Sequence, residues 1–147
     1  MSKRAIYEWN NEEIQGFNRS IIDEFRAHHG IVGGPFTDIP LLLLTTKGRK
    51  SGLERVVPLA YLRDGERYII VASFAGSPVN PPWYHNLLAN PEVGVEVGHD
   101  SFAARAEVLQ EPERTRCFDA VVEKMPDFRN YQDRTSRVIP VIALTPL

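Results

Sequence analysis

Four basic side chains crowd one short stretch of this chain. Lys47, Arg49, Lys50 and Arg55 stand there against a single acid, Glu54. Gly48 and Gly52 flank Arg49, Lys50 and Ser51, and glycine lets the backbone turn tightly enough to bring N–H groups close to an anion. Lys and Arg heads beside a serine hydroxyl add charge-assisted donors, the strong class of hydrogen bond. This set of residues suits a phosphate or a similar polyanion. The plainer alternative is a solvated hairpin with scattered charge. A Walker-type loop is excluded, because Lys50-Ser51 lacks the upstream glycine at the required spacing and no parallel sheet follows.

A second stretch, Ala72-Ser73-Phe74-Ala75-Gly76-Ser77, closes a strand-like segment with small residues. Small side chains let a flat ring lie against the backbone, whose N–H and C=O groups then read the polar edge of the ring. The competing reading is a plain surface loop. A third stretch, Pro81-Pro82-Trp83-Tyr84, sets two large aromatics at a helix start, either as core or as the wall of a ring-binding slot.

Catalytic side-chain constellations are weak by comparison. His28, His29, His85 and His99 fall in three separate places, and the adjacent pair His28-His29 points to different faces, which makes it a poor metal pair. No Gly-x-Ser-x-Gly elbow supports a serine triad. Cys117 sits among Phe118 and Val121 as a small packing residue. The side chains thus offer grip and little chemistry, the pattern of a protein that orients a cofactor and leaves the hard step to it.

The elements that must position these stretches are legible in outline. Asn10-Asn11-Glu12-Glu13 reads as a helix start, and Ile14, Phe17, Ile21 and Phe25 recur at helical spacing behind it. This gives an amphipathic helix over about residues 11–29, stopped near Gly30. Its single apolar stripe suits packing on its own sheet, with a membrane surface or a partner as the minority reading. Leu41-Leu42-Leu43-Leu44-Thr45-Thr46 is an apolar run of strand length. Residues 55–62 and 67–73 read as strands around an Asp64-Gly65 turn, and Pro58 confines the first to an edge or a bulge. Residues 82–89 form a short helix stopped by Asn90-Pro91. Residues 92–98 and 101–109 alternate around a His99-Asp100 turn, with Val93, Val95 and Val97 on one face. Pro112 opens a helix to about Met125, Phe128 and Tyr131 lie on a short aromatic segment, and residues 138–144 form a last strand. About six strands and three or four helices result. Most strand pairs are hairpins, so the fold class is mainly β with peripheral helices, a largely antiparallel closed or split barrel.

The whole chain sets outer bounds. Its 147 residues suit one domain, residues 1–147. Hydrophobic residues at 43% and charged residues at 24% are ordinary for a globular protein, and a net charge of −2 steers nothing toward nucleic acid. A lone cysteine cannot form an internal disulfide and suits a reducing compartment. The segment Met1 to Trp9 lacks the apolar run of a secretory signal, and the four leucines are too short to span a bilayer. The expected location is the cytoplasm.

Taken in order, these residues resemble the deazaflavin-dependent nitroreductase family known from actinobacteria. The resemblance runs from Leu41–Thr46 into Gly48-Arg49-Lys50-Ser51-Gly52, then Arg55 and Pro58, Arg63-Asp64-Gly65, Val71-Ala72-Ser73, Pro82-Trp83 and Asn86-Leu87-Leu88-Ala89-Asn90-Pro91. It covers roughly residues 14–146. It implies a split β-barrel like that of flavin-mononucleotide-binding proteins, with coenzyme F420, a deazaflavin carrying a phosphate and an oligoglutamate tail, as hydride donor. The implied acceptors are quinones, nitroaromatic compounds or activated alkenes.

Carried over by position, Arg49, Lys50, Ser51 and Gly52 match the phosphate-holding loop and Arg55 a cationic contact beside it. Val56, Val57, Pro58, Leu59 and Ala60 line the groove. Val71, Ala72, Ser73 and Phe74 match the strand end whose backbone reads the ring. Pro82, Trp83, Tyr84, His85 and Asn86 match the wall of the ring pocket. Phe128 and Tyr131 match aromatic positions over the substrate, with Ser73 and Tyr131 as the residues placed to touch the reaction. Ala60 and Phe128 stand where tyrosines can occur, and Phe74 where a lysine can, so this pocket carries fewer hydroxyls than the nitroreductase that gives the family its name. The resemblance leaves FMN on the same barrel, or a deazaflavin carrier without turnover, as rival readings. A plain interaction domain with a basic loop is the third. The expected partner is a small-molecule hydride acceptor, met in the cytoplasm or at the inner face of the membrane, by a monomer or a homodimer.

Overall fold

A computed structural model describes residues 11–147. Asn10, expected to cap the first helix, and the segment Met1 to Trp9, read as lacking a signal, lie outside the described residues. The elements in order are α1 (Asn11–Ala27), β1 (Leu41–Lys47), β2 (Glu54–Ala60), β3 (Leu62–Asp64), β4 (Arg67–Val71), α2 (Pro82–Ala89), β5 (Glu92–Val97), β6 (Asp100–Val108), α3 (Glu113–Lys124), α4 (Asp127–Asp133) and β7 (Val141–Pro146). One sheet contains all seven strands in the order β2-β1-β5-β6-β7-β4-β3, and every pairing is antiparallel.

The sheet is curled on itself. Its two edge strands, β2 and β3, are consecutive in the chain and separated only by Tyr61. The Tyr61 N–H reaches back to Pro40 O at 3.2 Å. The stretch expected as one strand over residues 55–62 is therefore two, which raises the count from six to seven. It does not form a hairpin with β4 along its length. Instead β2 pairs with β1 across the basic loop, and only the three residues of β3 pair with β4. Pro58 sits on the edge strand opposite Leu43, where a missing N–H does no harm.

Both tight turns are displaced by one residue from the expected pairs, the first later than Asp64-Gly65 and the second earlier than His99-Asp100. Asp64 pairs with Arg67 and Val97 with Asp100, so the turn residues are Gly65-Glu66 and Gly98-His99. Each glycine takes the left-handed conformation, at φ 61° and 59°, which a side chain resists. β7 begins at Val141 rather than near residue 138, because Val138 is exposed and Pro140 has no N–H to give a ladder.

The four consecutive leucines of β1 follow from burial on both faces. Leu42 and Leu44 enter the barrel interior with Tyr68, Ile70, Ala72, Trp83, Leu87, Ile142 and Leu144. Leu41 and Leu43 face α1, where Ile21, Phe25 and Val32 cover them. A third cluster lies outside β4 and β7, where Ile69, Val71, Val141 and Ala143 meet Cys117, Phe118 and Val121 of α3. Cys117 is thus a packing residue. The α1 stripe docks on the sheet, and its end is fastened at the β5–β6 turn. There Arg26 forks onto Glu96 (2.9 and 3.2 Å) and the rings of His29 and His99, distant in sequence, stack at 4.0 Å. The sheet's curl and the covering helices leave one end of the barrel to the β1–β2 loop, α2 and the end of β4.

Candidate active site

After β1 the chain reverses through residues 48–53 into β2. The Gly48 N–H donates to Leu53 O and the Gly52 N–H to Gly48 O, each at 2.8 Å. Gly52 has φ 73°, and a Cβ on Gly48 would lie 2.6 Å from Ser51 Oγ. The positive φ of Gly52 favours glycine there, and Gly48 leaves room for the Ser51 hydroxyl. That hydroxyl helps to shape the loop by accepting the Leu53 N–H at 3.1 Å, and it keeps its own proton to donate.

α2 clasps the loop from the side. Asn86 Oδ1 accepts the Arg49 N–H at 3.1 Å, and Asn86 Nδ2 donates to Thr46 Oγ1 at 3.2 Å. Asn86 is only 8% exposed, so the residue expected in the ring wall also serves as the peg of the loop. The side chains of Lys47, Arg49, Lys50 and Arg55 meet no carboxylate or other polar partner among the described residues. By contrast Arg26, Arg67, Arg116 and Arg129 are all paired with acids. An unneutralised cationic loop with a fixed backbone fits a group carrying several negative charges.

The groove residues divide by strand alternation. Val57 and Leu59 pack toward the barrel interior beside Tyr84, whereas Val56 and Ala60 pack on the α1 side. Pro82 opens α2 at the surface. Trp83 is 7% exposed and belongs to the interior core. Tyr84 and His85 are half-buried, with ring centroids 5.6 Å apart.

At the end of β4, Val71 turns outward to the α3 cluster and Ala72 inward to the barrel. The chain then enters a tight turn. Ser73 is right-handed (φ −74°), Phe74 and Ala75 are left-handed (φ 46° and 53°), and Gly76 follows at φ 80°. Two consecutive non-glycine residues at positive φ cost on the order of 1–3 kcal/mol each. Two neighbours hold them in place. α4 closes over Gly76, where a Cβ would stand 2.9 Å from Tyr131 O and 3.0 Å from Arg134 Cβ. On the other side lies Arg137, whose guanidinium donates to Ser77 O (2.9 Å), Ala72 O (3.2 Å), Ser73 O (2.8 Å) and Asn80 Oδ1 (2.7 Å). Burial pulls its pKa down. Nothing in the sequence around Arg137 marks it, because all partners of its guanidinium lie at least 57 residues away.

Ser73 is 8% exposed, and its hydroxyl has no partner among the described residues. The rings of Phe128 and Tyr131 meet edge to face at 5.5 Å, packed on the outer cluster with Val71. Burial pushes the Tyr131 phenol pKa up. The fold therefore joins the loop to α2, and the Ser73–Gly76 turn to α4. Trp83 and Phe128 lie on opposite faces of β4. No group of three or more His, Cys, Asp or Glu among the described residues could hold a metal ion.

A curled antiparallel barrel, with a cationic loop unpaired among the described residues and a backbone turn at its mouth, places the chain in the split-barrel, FMN-binding-like fold class. Its chemistry rests on a bound redox cofactor. A sequence profile of the F420H(2)-dependent quinone reductase family matches residues 17–146. An F420H(2)-dependent quinone reductase of Mycobacterium tuberculosis is 46% identical over 123 residues, which cover 82% of this chain and 80% of that protein. The solved structure of an F420-H2 dependent reductase, FDR-A, superposes with a TM-score of 0.67 at 40% identity, covering 71% of this chain and 93% of the other. A structure described as a domain-swapped dimer gives a TM-score of 0.69 at 36% identity over 88% and 98% of the two chains. The chain belongs to the F420H(2)-dependent quinone reductase family, whose cofactor is coenzyme F420.

Proposed function

We propose that this chain reduces a quinone with electrons from reduced F420, and that nitroaromatic compounds or activated alkenes serve as substitute acceptors. The observation that carries this reading is the cationic loop, whose four side chains have no polar partner among the described residues. F420 carries a phosphate and an oligoglutamate tail, and Arg49, Lys50, Ser51 and Arg55 supply the matching donors. When bound, the reduced cofactor supplies a hydride. Ala72, Ser73 and Phe74 present backbone and hydroxyl groups to the edge of the ring, and Tyr84 and His85 bound its slot. Trp83 supports that wall from the core. Holding the two reactants face to face is the protein's largest contribution. A quinone that accepts a hydride also needs one proton to become a hydroquinone. The Tyr131 phenol, kept protonated by burial, is the proposed donor.

The proposed setting is the cytoplasm, at the inner membrane face where the quinone is a membrane one. No described helix is long and apolar enough to cross a membrane. Ile21 and Phe25 of α1 are spent on the sheet, so that helix's stripe is not a free anchor. The domain-swapped relative supports a dimer.

The deciding experiment titrates the protein with reduced F420 and then adds menadione. One hydroquinone formed per F420 oxidised is the expected result. Tight F420 binding without oxidation across a panel of quinones would leave a carrier. Binding of FMN in place of F420 would make the chain a flavin enzyme.

A further inference from the structure

We propose that Arg137 is a positioning residue for cofactor recognition. It is the fixed cation that shapes residues 72–77 into the surface that receives the polar edge of the deazaflavin. The proposal rests on the reading of that strand end as the ring site.

The geometry carries the argument. Three carbonyls of one short turn, those of Ala72, Ser73 and Ser77, converge on a single guanidinium at 2.8–3.2 Å. A fourth contact, to Asn80 Oδ1 at 2.7 Å, secures the following segment. Arg137 is half-buried, and no carboxylate among the described residues pairs with it. A cation held without a counter-ion by carbonyls alone is an unusual investment for a surface turn. The planar fork of arginine can serve several fixed acceptors at once, which a lysine cannot reproduce.

The effect on the other side of the turn follows. With the carbonyls of Ala72 and Ser73 drawn toward Arg137, and that of Phe74 accepting the Ser77 N–H, Ser73 and Phe74 adopt a right-handed then left-handed pair of conformations (φ −74° and 46°). That succession points successive N–H groups to the same side and makes a concavity for an anion or a carbonyl oxygen. The N–H groups of Phe74 and Ala75 meet no acceptor among the described residues. The positive charge of Arg137, which meets no carboxylate among the described residues, lies behind the Phe74 N–H, on the carbonyl side of the Ser73–Phe74 peptide, so the turn favours a ring edge rich in oxygen and negative charge. The turn cannot hold this shape by itself, because Phe74 and Ala75 disfavour positive φ.

The test compares the wild type with Arg137→Ala and Arg137→Lys. Hydrogen exchange of the backbone amides in residues 72–77 is followed without cofactor, and F420 binding by its fluorescence. In Arg137→Ala, exchange is expected to quicken in this segment more than in β1 or β5, with F420 affinity about tenfold or more weaker. Millimolar guanidinium, well below denaturing concentration, should restore both. Arg137→Lys keeps the charge but gathers its donors on one nitrogen, which cannot reach all four acceptors, so it should fold yet recover only part of the affinity. Wild-type exchange and wild-type affinity in either variant would overturn the proposal, as would affinity loss without a local change in exchange. If the wild type itself fails to bind F420, the functional reading falls, while the exchange measurement still decides what Arg137 does to the turn.

Discussion

Arg49 and Lys50 extend from a loop whose backbone is fixed by its own hydrogen bonds and by Asn86, so replacing them removes charge without removing shape. The double variant Arg49→Ala/Lys50→Ala is expected to keep the wild-type melting temperature. Its F420 affinity should fall by up to several kcal/mol, given about 1.5–3 kcal/mol for each charged hydrogen bond. The wild type should also lose affinity as salt rises, and the variant less steeply. Calorimetric titration at two ionic strengths checks both, and unchanged affinity would remove the loop from the site. Tyr131 differs in kind, because its proposed contribution is a proton. Tyr131→Phe keeps the ring that packs on Phe128 and Val71. The expected outcome is a kcat lower by about a hundredfold with little change in the KM for reduced F420. Equal kcat would mean that the ring only closes the pocket and that solvent supplies the proton.

At the scale of elements, the site hangs on contacts between pieces far apart in the chain. Asn86 is the clearest case. Its amide joins α2 to Arg49 of the loop and to Thr46 of β1. Asn86→Ala should cost about 1–3 kcal/mol of stability, because the nearly buried Thr46 hydroxyl and the Arg49 N–H lose their partner. It should weaken F420 binding as well, although Asn86 carries no charge. Denaturant unfolding with a parallel F420 titration measures both losses, and a stability loss with intact binding would confine Asn86 to the scaffold. Local pattern was enough to read β1, α2, β5 and β6 nearly residue by residue, because each is a short periodic run bounded by Pro, Gly or Asn. It failed where distant partners decide. Nothing near Tyr61 announces that the chain leaves one sheet edge for the other. The clasp of Arg137 on four groups and the stacking of His29 on His99 are equally silent locally. The cationic loop was visible because its residues are contiguous, and the turn at Ser73–Gly76 because its residues are small. The division of residues 56–60 between two faces follows from strand period alone, yet which face meets a cofactor depends on the curl of the whole sheet.

For the molecule as a whole, groups that favour opposite protonation states set the pH range of stability. On the acid side, hydrogen bonding to Arg67 holds the Asp64 carboxyl below its ordinary 3.8, within a network that ties the β3–β4 hairpin to Glu113 of α3. That contribution is present above pH 3.8 and is lost as pH falls through the depressed value. On the alkaline side, burial raises the Cys117 thiol above its ordinary 9.0 and the phenols of Tyr61 and Tyr131 above 10.0. The folded protein keeps these protons at a pH where the unfolded chain has released them, so each contribution is complete below the ordinary value and disappears as pH rises through the raised one. Cys117 is 2% exposed inside the α3 cluster, and of the three groups it is the one the unfolded chain deprotonates first. Melting temperature should therefore be level through neutral pH and begin to fall near pH 9.0. In Cys117→Ala the whole curve should be lower, because a small cavity opens in the core, but the onset of the alkaline fall should move toward pH 10.0, where the tyrosines take over. Thermal melts at half-unit intervals above pH 8 resolve the two onsets. An identical onset in both proteins would show that the buried thiol does not set the alkaline limit of this barrel.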